Sequence, residues 1–191
     1  VFEGNTSYAG GGMSVETTSP TLMGCRFEGN MADLGRGGAM YLVSDPWPGL
    51  GQSMPVITEC EFVANGALWG GAIAADAWFD GLAGPGSEPT IVDCLFSTNM
   101  AVRGGCIWTG LGSITTVEDS LFLANDGQWG GALYAEEDSN TIVSNAMFLG
   151  NTGDYGGAIH EQNVAGGTYD HCEFTGNAVA YDGGAVFAWN A

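Results

Sequence analysis

The chain reads as an all-β protein, a parallel β-helix of about seven coils, and three observations predict it. One short phrase recurs seven times along 191 residues: a Phe, two residues, an Asn, and five to seven positions later a Gly-Gly pair followed by a small and an aliphatic residue. The columns flanking that phrase alternate with a period of two, which marks strands rather than helices. The chain also holds 33 glycines, which break helices, and shows no helical periodicity. A leucine-rich horseshoe or a helical repeat of similar length is thereby disfavoured.

Each unit opens on its Phe: Phe2, Phe27, Phe62, Phe96, Phe122, Phe148 and Phe174. The intervals are 25, 35, 34, 26, 26 and 26, so the basic coil has 26 residues and two coils carry insertions. Two residues ahead of the Phe stand Cys25, Cys60, Cys94, Ser120, Ala146 and Cys172, a small column facing the same way as the rings. Five residues ahead runs the apolar column Leu22, Ile57, Ile91, Val117, Val143 and Tyr169.

After the Phe strand comes the column Asn5, Asn30, Asn65, Asn99, Asn125, Asn151 and Asn177. Asn tolerates left-handed backbone, and its amide can bond the Asn above and below, so a turn ladder is expected here. At the next corner the Gly-Gly pairs, which begin at Gly10 and recur to Gly183, permit a positive φ. The aliphatic residues that follow, Met13, Met40, Ile73, Ile107, Leu133, Ile159 and Val186, point inward. A unit of two or three short strands cannot bury its apolar side alone, so the coils stack at roughly 4.8 Å into a rod on the order of 33 Å long.

The two insertions fall at the same turn of neighbouring coils, over about 43–56 and 76–90, and are expected to make one lobe on a single domain spanning 1–191. They hold five of the six prolines and the side chains Trp47, Trp78, Phe79, Asp45 and Asp80. Loops on a rigid scaffold are where recognition concentrates; the alternative is a cover over the side of the rod.

The chain has 22 acidic residues, three arginines and no lysine, a net charge of −19. So acidic a surface repels phosphate and anionic polysaccharide, which argues against nucleic-acid binding and against a basic membrane-binding patch. No apolar run is long enough to insert in a membrane as a helix.

The pairing of FxxN with GGA plus an aliphatic residue, from Phe2 to Val186, resembles the repeats of the polymorphic outer-membrane proteins first described in chlamydiae. In that family the repeats form a right-handed parallel β-helix passenger on a surface autotransporter, and members act as adhesins. The resemblance implies an extracellular or cell-surface, non-enzymatic role. This chain departs from the family in having no C-terminal β-barrel within its 191 residues.

Several constellations are candidates for contact or chemistry. The third residue after Gly-Gly is expected to face solvent, giving an aromatic stripe of Tyr41, Trp108, Tyr134, His160 and Phe187, with Trp69, Trp129, Tyr155, Arg36 and Arg103 just ahead of the glycines. Such rings stack on sugars or anchor a protein partner, or they merely cover the sheet. Trp47, Trp78 and Phe79 add a second contact candidate in the loop lobe. The carboxylates Glu59, Asp93 and Asp119 line up ahead of the Phe column and offer a weak calcium site; no other cofactor is indicated. Cys25, Cys60 and Cys94 occupy consecutive rungs, either as a buried thiol ladder or with one bridge among them.

Some β-helices are polysaccharide lyases and hydrolases, so a carbohydrate-processing enzyme is the alternative function. Its chemistry is hard to assemble from three arginines on separate coils and two isolated histidines, His160 and His171. Ice binding fails for want of a persistent Thr column. The partners expected are a glycan or a surface protein at the side, and, along the axis, either flanking repeats of a longer chain or further copies stacked head to tail into a filament.

Overall fold

Four short strands, not two or three, complete each turn of the chain. In the fourth coil they are Leu95–Ser97, Met100–Arg103 and Ile107–Thr109, followed by Ile114–Glu118 leading into the next Phe. The computed structural model describes residues 1–45, 51–77, 85–136, 138–163 and 166–190; Trp47, Trp78, Phe79 and Asp80 lie outside them. The strands stack into three seven-stranded sheets and one six-stranded sheet, every pairing parallel, and among the described residues there is no helix. The chain is thus a parallel β-helix of about seven coils. We number the sheets 1 to 4 in the order in which a coil visits them from its Phe.

Register follows the sequence columns: Phe96 lies between Phe62 and Phe122 in sheet 1, and Ile107 between Ile73 and Leu133 in sheet 3. The insertions leave this register untouched because they are confined to the turn between sheets 3 and 4. Their described portions run side by side. The Glu88 amide donates to the Ser53 carbonyl at 2.8 Å, and Gln52 Nε2 donates to the Gly86 carbonyl and to Glu88 Oε1, each at 2.8 Å.

Three left-handed corners turn each coil. One lies at the Gly-Gly corner, as the sequence predicts, and falls on the first glycine: φ is 62° at Gly70, where a Cβ would stand 2.0 Å from the Ile73 carbonyl oxygen. The second glycine serves a different purpose. A Cβ on Gly71 would come within 2.2 Å of the Gly105 oxygen one coil on, so only hydrogen lets the coils close to sheet spacing there.

The second corner differs from the sequence expectation. The left-handed residue is the one before each Asn, such as Ala64 (φ 54°) and Thr98 (φ 53°), and the Asn itself points inward and is buried from Asn30 to Asn151. Its work is to satisfy backbone. Asn65 Nδ2 donates to the Phe27 carbonyl and to Asn99 Oδ1, each at 3.0 Å, while its amide N–H also donates to Asn99 Oδ1 at 3.0 Å. The same triplet recurs around Asn30, Asn99, Asn125 and Asn151. Buried polar groups are tolerated only when bonded, and this ladder closes the account for the corner where two sheets part.

Inside, seven phenylalanine rings stack in a single column, neighbouring centroids 4.4–5.0 Å apart and planes within 5°. Around it pack the aliphatic and small columns in one continuous core, from Val15 and Leu22 to Ala158 and Ile159. All five cysteines are free thiols. In the ladder, the Cys25 amide donates to Cys60 Sγ at 3.4 Å, and the Cys60 and Cys94 thiols donate to the Thr58 and Val92 carbonyls at 3.1 and 3.2 Å.

Candidate functional site: an aromatic side face

The stripe expected in solvent is largely covered. Trp108, Tyr134 and His160 are 3, 1 and 3 % exposed, and Tyr41 and Phe187 are half-buried. Alternation along the strand places these side chains on the outer face of sheet 3, away from the main core, as predicted. What covers them is the column just ahead of the Gly-Gly corner, which folds back over the sheet. Ala74, Trp108 and Tyr134 become a second small core, edged by Tyr41, Trp69 and Trp129.

Arginine and tryptophan alternate in that cover. The Arg36 guanidinium lies 5.1 Å from the Trp69 ring and 5.0 Å from Trp108; that of Arg103 lies 4.9 Å from Trp129 and 5.7 Å from Tyr134. Each arginine is tied to a carboxylate on sheet 3. Arg36 Nη1 pairs with Asp76, which is wholly buried, and Arg103 Nη1 bonds both Glu136 oxygens at 2.9 and 3.0 Å. Glu136 also accepts from Trp108 Nε1 at 3.1 Å and from the Tyr134 hydroxyl at 2.8 Å, so its oxygens are fully used.

Burial dominates the electrostatics here. It pushes the Asp76 carboxyl up to about 6, with Arg36 pulling the other way. It also depresses His160 to about 4, helped by the nearby Arg103 charge and opposed by the Tyr155 carbonyl, so the imidazole is neutral at pH 7.

Past Trp129 the cover opens into a pocket of about 360 Å³. Arg103, Trp129, Tyr155, Phe187 and Trp189 form its walls, with His160 and Gln162 deeper in. The His160 ring packs edge-on against Tyr134 and Phe187, both at 5.0 Å, and neither ring nitrogen meets hydrogen-bond geometry with any described residue, the Tyr155 carbonyl included. The Gln162 amide lies 2.8 Å from the Tyr134 hydroxyl through one of its polar ends.

A second concavity runs along sheet 2, an open groove of about 750 Å³. Its floor is the small column Ala32, Ala67, Ala101, Gly127 and Gly153. Met31 and Met100 line it, 48 and 60 % exposed, together with Asp33, Asp126 and Asp154. Asp126 Oδ1 accepts from Thr152 Oγ1 at 2.7 Å.

The carboxylate column Glu59, Asp93 and Asp119 occupies the third left-handed corner, with φ of 52°, 53° and 48°, and is exposed. Asp and Asn are among the side chains that accept this conformation, and Asn145 takes the same corner one coil on. Among the described residues no three acidic, His or Cys side chains converge as a metal site would need. Of the remaining contact candidates, Trp47, Trp78 and Phe79 fall outside the described residues.

Asp76, Glu136 and Gln162 did not stand out in the sequence. Their signal is positional: each lies two residues after Ala74, Tyr134 or His160, on the same outward face, where a polar side chain can reach the arginines or the pocket.

No protein-family model matches the chain, and no curated protein or solved structure does. Its likeness to the polymorphic outer-membrane repeats therefore rests on the FxxN and Gly-Gly residues themselves.

Proposed function

We propose that the chain is a non-enzymatic β-helical rod of the extracellular space or cell surface, whose repeats are architecture and whose side face makes adhesive contact with glycans. The observation that carries this reading is the way the basic and aromatic side chains are spent. Arg36 and Arg103 are paired with Asp76 and Glu136 against aromatic rings, and Arg26 is paired with Glu28 and Glu61 on the surface. His160 is enclosed by rings, and His171 pairs with Asp170 in the open. A uronate lyase needs a cationic clamp beside an available base; all three arginines are paired with carboxylates, and His160 is shut away from solvent by its ring neighbours. Rings backed by a rigid sheet, in contrast, are suited to contact. The repeat resemblance supports the surface location.

A second reading, carbohydrate processing, is favoured by the sheet 2 groove, where Asp126 and Asp154 project from adjacent coils. Two carboxylates across a cleft are the minimum for glycoside hydrolysis. Incubating the chain with neutral and uronate polysaccharides separates the two. Retention on immobilised glycan with no new reducing ends and no unsaturated uronate is expected; release of either product overturns the non-enzymatic reading.

A further inference from the structure

We propose that the pocket walled by Trp129, Tyr155, Phe187 and Trp189 is a subsite for one neutral hexopyranose ring, with His160 and Gln162 as its polar contacts. This deepens the adhesive reading and rests on it.

The pocket differs from the rest of the side face. Over Trp108 and Tyr134 one carboxylate serves the aromatic layer: Glu136 accepts from the Trp108 indole, the Tyr134 hydroxyl and the Arg103 guanidinium. One coil further the matching stops. His160 is buried to the same degree as Trp108, yet both its nitrogens lack partners among the described residues, and an unpaired polar group so placed normally answers to something that binds. Gln162 sits beside it with one end of its amide on Tyr134 and the other end uncommitted among the described residues.

The chemistry selects the guest. A volume of about 360 Å³ admits a single sugar ring with room for a linkage outward. Aromatic walls suit the apolar face of a pyranose, and Trp189, 52 % exposed, stands at the mouth where a ring would first stack. A neutral imidazole carries one donor and one acceptor, and a free amide end adds one more, the complement required by adjacent hydroxyls. Tyr155 and Phe187 pack on His160, so the guest reaches its nitrogens by displacing one of these rings. Anionic sugars are selected against, because the one cation at the pocket, Arg103, is already satisfied by Glu136 and the chain carries a net charge of −19.

The test is calorimetric titration of the purified chain with glucose, galactose, mannose and N-acetylglucosamine and their short oligomers, alongside glucuronate as the anionic control. Saturable binding of at least one neutral series is expected. Trp189→Ala and Gln162→Ala, both outside the main core, should each weaken it about tenfold or more with an unchanged circular dichroism spectrum. His160→Phe, which keeps the packing but removes both nitrogens, should weaken it while preserving the thermal transition. Binding of neutral glycans that all three variants leave intact would overturn the pocket and spare the adhesive reading. Absence of binding to any glycan on an array would overturn both. Preference for glucuronate would overturn the assignment of a neutral guest.

Discussion

Arg103 bonds both carboxylate oxygens of Glu136 through a single nitrogen, at 2.9 and 3.0 Å, while its guanidinium lies over Trp129. The pair joins the cover layer to sheet 3 and converts an exposed aromatic stripe into a second core. Removing one partner strands the other charge in a poorly hydrated place. Arg103→Ala is expected to cost about 2–3 kcal/mol of unfolding free energy, below the range for fully buried pairs because Arg103 is partly exposed. Replacing both residues by Leu should recover more than half of that loss in urea titrations.

The asparagine ladder makes a second prediction. Asn99→Ala removes the acceptor for the Asn65 amide and side chain and the donor to the Phe62 carbonyl, all buried. A cost of about 3 kcal/mol follows from the groups left unpaired. Asn5, which has a neighbour on one side only and is exposed, should lose less than about 1 kcal/mol on the same change. Equilibrium urea unfolding of the two variants, compared at equal m value, checks the difference.

Glycines should divide into two kinds. Gly29 has φ 61° and open space around its would-be Cβ, so Gly29→Ala pays only for left-handed backbone, about 1 kcal/mol. Gly71→Ala must push a Cβ into the Gly105 carbonyl at 2.2 Å, and a loss above about 3 kcal/mol is expected. Thermal melts of the two variants should differ by many degrees, in that order.

Acid stability carries a signature of His160. Its folded pKa, about 4, lies below the ordinary 6.5, so its contribution is fully present above pH 6.5 and is lost as pH falls through 4. Asp76 has the opposite sign. Raised from 3.8 to about 6, it contributes most below pH 3.8, and that contribution is lost as pH rises through 6. In His160→Phe the first slope disappears, and stability relative to the parent should rise by about 2 kcal/mol between pH 6.5 and 4. Urea midpoints of the two proteins across that window provide the check.

Much of this architecture was legible in the sequence because a solenoid writes its core as columns. Phe27 to Phe174, the apolar column from Leu22, and the Gly-Gly corners all fell where their spacing put them, and the insertions fell between strands because only a turn can absorb extra residues without shifting register. The errors have local causes. A period of two says that Trp108 and Tyr134 leave the main core, but it cannot tell that Arg36, Trp69, Arg103 and Trp129 fold back over them from the preceding corner. The left-handed residue is not the Asn that the repeat displays but the one before it, a place held by Gly, Ala or Thr and so without a residue type to mark it. Gln162 became meaningful only once the pocket placed it beside His160.

The most direct test of side-face adhesion is a nuclear magnetic resonance titration of the labelled chain with the glycan series, read at the backbone amides and at the indole N–H signals of its six tryptophans. Progressive, saturable shifts at Trp129 and Trp189 are predicted, with Trp108 unmoved because its N–H is held by Glu136. Shifts confined to Asp126, Asp154 and their neighbours in the sheet 2 groove, with both indoles silent, would contradict the account.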